Sequence, residues 1–182
     1  MGKITHSPFT ILIDTRETHP WLFKDIPGLK SQGQIVVPTE RHGLGTRLGD
    51  YTIDGAISLI SQWRISIERK SLNDLFSTIL SNRDGFEEEL ENLNIMEYAA
   101  VVVEAPLEQV VSHIPQYWIE EEISPDKQLT KQRVVLGSIQ AWQLRYPTVR
   151  WWFLSRSYAE IWVYRILHRF WEDRLKGKEW VI

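Results

Sequence analysis

The order of apolar patterns along the chain predicts an α/β domain with a mixed central sheet flanked by helices. Three observations carry this. Apolar runs of strand length alternate with segments of helical period, hairpin signals crowd the first half, and at Ile65 to Ile79 the period switches from two to helical. With 182 residues, 43% hydrophobic and 25% charged, the chain suits one well-buried globular domain spanning 1–182.

Phe9 to Asp14 is an apolar run ending in a carboxylate. It reads as a buried first strand that delivers Asp14 to the sheet edge where α/β sites collect; the plainer reading is a strand-end turn with Asp14 bonded to nearby backbone. Arg16 and Glu17 follow in the loop, and Trp21-Leu22-Phe23 opens a short helix or turn stopped by Pro27-Gly28. Gln34 to Pro38 is a second strand, Glu40 to Thr46 a glycine-bearing turn, and Leu48 to Ile53 a third strand carrying Gly49-Asp50. Gly49 either lets the backbone approach a metal or phosphate or marks a bulge. Gly43 and Gly45 are not a phosphate loop, because no Gly-Lys-Ser/Thr follows. Asp54-Gly55 signals a hairpin, so the third strand and the next are antiparallel neighbours, and Ala56 to Ser61 reads equally as short strand or loop extension.

In the central stretch, Ile65 and Ile67 point to one side of a strand and Ser66, Glu68 and Lys70 to the other. A carboxylate and an ammonium are thus neighbours on an exposed face at a strand end. Ser71 then caps a helix, with Asp74 at N3 of a capping box and Leu72, Leu75, Phe76 and Ile79 at helical spacing. Such a carboxylate can hold a hard divalent cation, and the lysine can orient a water or stabilise a phosphorane-like charge. An ordinary Glu–Lys pair on an edge strand is the plainer reading.

Ser81 to Gly85 is polar and turn-like, with Arg83 either a phosphate contact or a solvated loop residue. Phe86 to Tyr98 is a second helix whose Glu87, Glu88, Glu89 and Glu91 read as a solvated face suited to the helix dipole. Ala99 to Val103 is a central strand, since it is apolar without alternation. Residues 106–126 are irregular in pattern, an insertion or lid with acidic Glu120-Glu121-Glu122 and the aromatics Tyr117 and Trp118. Lys127 to Tyr146 is helical, Thr148 to Leu154 the final strand, and Ser157-x-x-Glu160 caps a long helix to about Leu175.

Taken in order, Ile13-Asp14-Thr15-Arg16-Glu17, Leu48-Gly49-Asp50-Tyr51 and Glu68-Arg69-Lys70 followed by Asp74 form one series. That series resembles the nuclease domain of the XPF/Mus81 family of structure-specific endonucleases, the ERCC4 domain, most strongly before residue 80. The resemblance implies a restriction-endonuclease-like fold and a metal-dependent DNA endonuclease acting on branched or structured DNA, in repair or recombination. It implies Asp14, Asp50 and Glu68 as the acidic metal-binding set, with the backbone carbonyl of Arg69 as a further ligand. Oxygen ligands of this kind select Mg²⁺ or Mn²⁺. Lys70 would position or activate the attacking water, and Asp74 would place a negative charge near Lys70 or the outer shell of the metal. Of Arg16 and Arg69, one would contact phosphate and the other support the acidic residues. The gap from Asp50 to Glu68 is longer than the family pattern. The resemblance also implies a homodimer through the last helix, where Ile161, Tyr164, Leu167 and Trp171 recur at three- or four-residue steps. No tandem helix-hairpin-helix signature follows, so a stand-alone domain of a phage or bacterial protein is expected. The alternative is a non-catalytic nuclease-like scaffold or partner subunit, whose mark would be eroded acidic and Glu-Arg-Lys positions; here all are intact.

Bulk properties narrow the field. The chain has no cysteine, which excludes disulfides, thiolate zinc sites and cysteine nucleophiles. Neither a signal-peptide core nor a membrane span is visible, so a soluble cytoplasmic protein is expected, nucleoid-associated if bacterial. A net charge of −3 argues against tight autonomous grip on DNA phosphates, and less strongly against a nuclease, whose acidic ligands lower the charge that a cation restores. Nine tryptophans are divided between core and partner surface.

Overall fold

The computed structural model describes residues 4–24, 26–28, 33–45, 48–55 and 65–176. In chain order its strands are β1 (Thr5–His6), β2 (Ile11–Asp14), β3 (Ile26–Pro27), β4 (Gln34–Val36), β5 (Thr39–His42), β6 (Tyr51–Ile53), β7 (Ile65–Lys70), β8 (Tyr98–Val103) and β9 (Val149–Phe153). Its helices are α1 (Leu72–Ser81), α2 (Arg83–Asn94), α3 (Leu107–Ser112), α4 (Gln116–Glu120), α5 (Pro125–Arg145) and α6 (Arg156–Leu175). The central sheet is mixed and six-stranded, ordered β5-β2-β6-β7-β8-β9, and a three-stranded sheet β1-β4-β3 stands apart. β2 runs parallel to β5 and antiparallel to β6, β6 antiparallel to β7, and β7, β8 and β9 are parallel. Helical crossovers separate the parallel strands, as such pairs require.

This topology decides where chemistry can collect. β2, β7, β8 and β9 share one direction, so their carboxyl ends lie along one edge of the sheet, joined there by the start of β6. In parallel α/β sheets that edge carries the ligand sites.

Two-residue alternation distributes the core over both faces. Ile65, Ile67, Ala100 and Val102 pack with Ile11, Ile13, Tyr51 and the α6 residues Val163, Tyr164, Leu167 and Phe170. Ala99, Val101, Val103 and Val149 pack on the opposite face with Leu75, Phe76, Phe86, Leu90, Trp118 and Trp142. Each valine, leucine, isoleucine or phenylalanine among them contributes about 1.5–3 kcal/mol when fully buried. Trp21, Trp118 and Trp142 are fully buried, whereas Trp162 is 37% exposed.

Several expectations are corrected. Trp21 to Phe23 is not helical: Phe23 has φ +53°, and its ring is buried edge-on against Trp21 and Tyr51. Thr39 to His42 is strand β5 rather than the start of a turn, because β2 offers it a parallel partner from Ile11 to Asp14. The Gln34 strand belongs to the small sheet, and the third strand starts only at Tyr51. Its antiparallel pairing with β7 agrees with the hairpin signal, and the ambiguous stretch from Ala56 lies outside the described residues. The turn expected over Ser81 to Gly85 shrinks to Asn82, which ends α1 and begins α2. The irregular stretch folds as α3 and α4, because Trp118 is buried against Phe76 and anchors it. The last helix starts after Ser155 rather than at Ser157, with no side-chain capping bond from Ser155, and Glu160 accepts the Phe23 N–H. Tyr164 and Leu167 are buried in the protein's own core with Ile161 and Trp171 packed beside them, so these four form no free face for a second copy. No described helix is long and apolar enough to cross a membrane.

Gly49 shows why β6 and β7 sit so close. A Cβ there would lie 2.6 Å from the Ile67 carbonyl oxygen and 2.9 Å from the Glu68 nitrogen, both backbone atoms that cannot swing aside. The glycine serves the approach of one strand to another, rather than of backbone to a ligand. Gly49→Ala is expected to destabilise the fold by about 2 kcal/mol, lowering the melting temperature by roughly 4–8 °C. Gly43→Ala, where a Cβ meets nothing within 4 Å, should leave it unchanged; equal melting temperatures for both variants would overturn the assignment.

Candidate active site

The strand edge opens into a cleft of about 350 Å³ lined by Arg16, Glu17, Thr18 and His19 on one side and by Asp50, Glu68, Arg69, Lys70, Ser71 and Asp74 on the other. The alternation of β7 assigns each of its residues a side. Glu68 and Lys70 turn toward α1 and α2, while Arg69 turns toward the 15–21 loop and the start of α6.

On the first side, Lys70 Nζ lies 2.6 Å from Glu68 Oε1, 3.8 Å from Glu89 Oε2 and 4.0 Å from Asp74 Oδ2, and it stands 4.7 Å above the Phe86 ring. The strand face expected to be exposed is covered: Glu68 is 4% exposed and Lys70 8%, because α1 and α2 close over them. Burial opposes the charge on Lys70, but Glu68 and Glu89 outweigh it and hold its pKa above the ordinary value. Lys70 is therefore an ammonium, a hydrogen-bond donor with no lone pair for taking a proton.

The carboxylates respond in the opposite sense. Burial, with the Glu68 charge beside it, pushes Asp50 up to about 8, against the donated Arg69 N–H. Burial and the neighbouring Glu89 likewise raise Glu68 to about 8, against the pull of Lys70. Two carboxylates that resist ionisation in one cleft create a demand for positive charge.

On the second side Arg69 is a buried clamp. Its guanidinium donates to both oxygens of Glu104, at 2.9 and 2.6 Å, and to Glu17 at 3.1 Å, while its backbone N–H donates to Asp50 Oδ2 at 2.8 Å. Glu104 also accepts from Trp21 Nε1 at 2.7 Å and from Arg156 at 2.7 Å. Arg156 in turn donates to the carbonyls of His19 and Pro20, and Glu17 accepts the His19 N–H at 2.6 Å. The Arg69 side chain is 9% exposed, whereas Arg16 is 58% exposed at the cleft, with its guanidinium tied to Asp14 and, through Nη2, to the Gly45 carbonyl at 2.6 Å.

Asp14 is placed differently from the expectation. It is 1% exposed and does not line the cleft. One carboxylate oxygen accepts the Arg16 backbone N–H at 2.7 Å and Nε at 2.8 Å; the other accepts Arg16 Nη2 at 3.3 Å and the Leu44 N–H at 2.9 Å. Burial raises its pKa, but these donors together bring it below the ordinary value. Its work here is to hold Arg16 and the 43–45 turn. The Asp74 backbone N–H donates to the Ser71 hydroxyl at 3.2 Å, and its carboxylate, 53% exposed, lies 4.0 Å from Lys70 Nζ.

Two of the carboxylates left facing the cleft carry the donor type that a small hard cation takes. Asp50 and Glu68 are oxygen donors, and the Arg69 carbonyl joins them by strand geometry: the Lys70 carbonyl accepts from Glu104 N–H on the β8 side, so that of Arg69 points to the Asp50 side. Mg²⁺ uses only one or two carboxylates and keeps much of its water. Among the described residues no group of three or more His, Asp or Glu converges on a single point.

Sequence reasoning missed Glu104, Arg156 and Glu89. Glu104 had a readable signal, a carboxylate directly ending a buried apolar strand, like Asp14. Glu89 was hidden in an acidic run taken as solvated; Glu88 and Glu91 are exposed, but Glu89 reaches Lys70 and Glu87 bonds Trp142 and Arg145. Arg83 is the first residue of α2 rather than a loop residue: it pairs with Glu87 at 3.0 Å, donates to Ser138 and stacks 4.9 Å from Trp142.

No family model and no curated protein matches the chain. Among solved structures the chain is similar to XPF from Aeropyrum pernix, with a TM-score of 0.53 and 20% sequence identity. The match covers 95% of this chain and 65% of that one, so this chain spans less than two thirds of that protein's length. The likeness is one of fold, an XPF-like mixed sheet flanked by helices.

Glu104 gives a direct test of the clamp. Glu104→Ala leaves the Arg69 charge buried with half its partners, a loss of about 3–5 kcal/mol. Thermal melting should fall by roughly 10 °C or more, while Glu108→Ala on the exposed face of α3 should stay within about 0.5 kcal/mol of the parent. Parity between the two variants would show that the network is not structural.

Proposed function

We propose that this chain is an endonuclease that hydrolyses phosphodiester bonds in DNA with the help of a divalent cation. The observation that carries the reading is the meeting of Asp50, Glu68 and Lys70 in one cleft at the carboxyl ends of the parallel strands of an XPF-like fold. Asp50, Glu68 and the Arg69 carbonyl would hold Mg²⁺ or Mn²⁺. When bound, such an ion polarises a phosphoryl oxygen and acidifies water.

The chain's own groups supply the rest. Lys70 donates hydrogen bonds to a phosphoryl oxygen or the attacking water and stabilises the charge that develops there. Arg16 contacts a non-bridging oxygen, oriented by its bond to Asp14. Arg69 acts through Asp50, which it holds against β7. Asp74 and Glu89 keep Lys70 charged and aimed. Branched or structured DNA is the substrate we propose, in keeping with the resemblance of the Asp50, Glu68-Arg69-Lys70, Asp74 series. The intact acidic and basic positions oppose a non-catalytic scaffold.

Glu68→Gln is expected to abolish magnesium-dependent cleavage of a branched DNA while the protein stays folded, read by a nicking assay beside circular dichroism. Near-normal cleavage by this variant would sink the site assignment. Asp74→Asn should cut the rate about tenfold or more, the size seen when a partner of a site residue is lost. Because the cap uses the Asp74 backbone N–H, its melting temperature should shift by no more than a few degrees. A drop in melting temperature with full specific activity would make Asp74 a helix-starting residue only.

Pairing of two copies through α6 remains part of the proposal, now through its outward side chains Tyr158 and Trp162, 69% and 37% exposed. Light scattering at tens of micromolar (roughly the range of a modest interface) should give twice the chain mass, and Trp162→Glu should return the monomer. A monomer throughout refutes it.

A further inference from the structure

A second groove, of about 560 Å³, opens from the cleft and shares Ser71 and Asp74 with it. It runs between the outer face of α1, with Asn73 and Ser77, and α4, with Gln116, Tyr117 and Glu120. Its volume suits a ligand of nucleoside size. Its chemistry is unlike that of a phosphate track: no lysine or arginine lines it, and Asp74 and Glu120 repel anions. Hydroxyls, two carboxamides and the half-buried Tyr117 ring are instead what reads an unpaired base, by stacking and by its hydrogen-bonding edge.

The polar groups are held in place. Asn73 Oδ1 lies 2.9 Å from His113 Nε2; an amide oxygen only accepts, so His113 donates and the Asn73 NH₂ is left to the groove. His113 itself packs edge-on against Phe76, with ring centroids 4.9 Å apart, and burial lowers its pKa. Tyr117 is braced edge-on by the buried Trp118 at 6.2 Å. Arg83, at the start of α2, is engaged with Glu87, Ser138 and Trp142 and does not line the groove.

We infer that the groove between α1 and α4 receives an unpaired nucleobase flanking the scissile phosphate, stacked on Tyr117 and bonded by Asn73 and Gln116. The inference rests on the nuclease reading for its orientation, and it names what makes a branched DNA the better ligand: only there is a base free to leave the stack without breaking a pair.

The test is binding by Glu68→Gln protein with magnesium, on two DNAs of one sequence. One is a blunt duplex; the other is a fork whose unpaired arm carries 2-aminopurine beside the junction. The fork should bind more tightly, with its fluorescence quenched by stacking. Tyr117→Ala should weaken fork binding about tenfold and leave the duplex unchanged, and Tyr117→Phe, which keeps the ring, should bind as the parent does. Ser77→Phe fills the groove from an exposed helix position and should remove the fork preference without touching the core. Equal binding of fork and duplex, or equal losses on both DNAs in Tyr117→Ala and Ser77→Phe, overturns the groove. Wild-type cleavage is measured separately. Cleavage without fork preference rejects the groove alone, and fork preference that depends on Tyr117 without cleavage rejects the nuclease reading and keeps the groove.

Discussion

The site rests on one buried guanidinium. A cation as sheltered as Arg69 must be matched by buried anions, and Glu17 and Glu104 provide them from opposite directions. Those two carboxylates lie on the loop after β2 and at the end of β8, and Arg156 extends the network to the first residue of α6. One residue thus pins the connections around the strand edge before any ligand arrives. Its backbone N–H holds Asp50 in the same act, so the acid expected to meet a cation is fixed to the strand that carries Glu68 and Lys70.

β7 acts as a partition because its side chains alternate. The charge on the Arg69 side is balanced internally. On the other side, Lys70 faces Glu68, Glu89 and Asp74, an excess of carboxylates, and Asp50 and Glu68 are both pushed up to about 8. Burial of acids is costly unless a cation compensates them, and buried Glu68 shares its lysine with Glu89 and the exposed Asp74. The imbalance is local and faces the open cleft, where a small cation with its own water would be welcome. The Gly49 contact with the Ile67 carbonyl sets the spacing on which this depends.

The net charge of −3 takes on meaning once the arginines are located. Arg69, Arg83 and Arg156 are engaged with Glu17, Glu87 and Glu104, so these three charges are balanced within the fold. Phosphate neutralisation supplies much of the affinity in basic DNA-binding domains, and the balance of this chain is acidic. Recognition that relies on a free base and on the cleft's own chemistry suits such a surface better than a grip on the backbone.

Local chemistry was enough to determine much of this protein. The β7–α1 junction was legible because a change of period, an N-cap serine and an apolar stripe are all encoded within fifteen residues, and the parallel strand β8 was legible from its unbroken apolar run. The grouping of Glu68, Arg69, Lys70 and Asp74 was likewise readable from their short spacing, whereas Asp50 was linked to them by the resemblance alone. What depends on distant partners was not. β5 exists because β2 lies beside it, and Trp118 turns an irregular stretch into helices by filling a hole beside Phe76. The last helix keeps Tyr164 and Leu167 for its own core, although their spacing alone fits an interface equally well. Tertiary structure also separated Arg16 from Arg69, took Asp14 out of the cleft and brought Glu89 and Glu104 toward it. A side chain's charge is written in the sequence, but the partner that neutralises it is chosen by the fold, fifty-two residues away both for Arg69 and Glu17 and for Arg156 and Glu104.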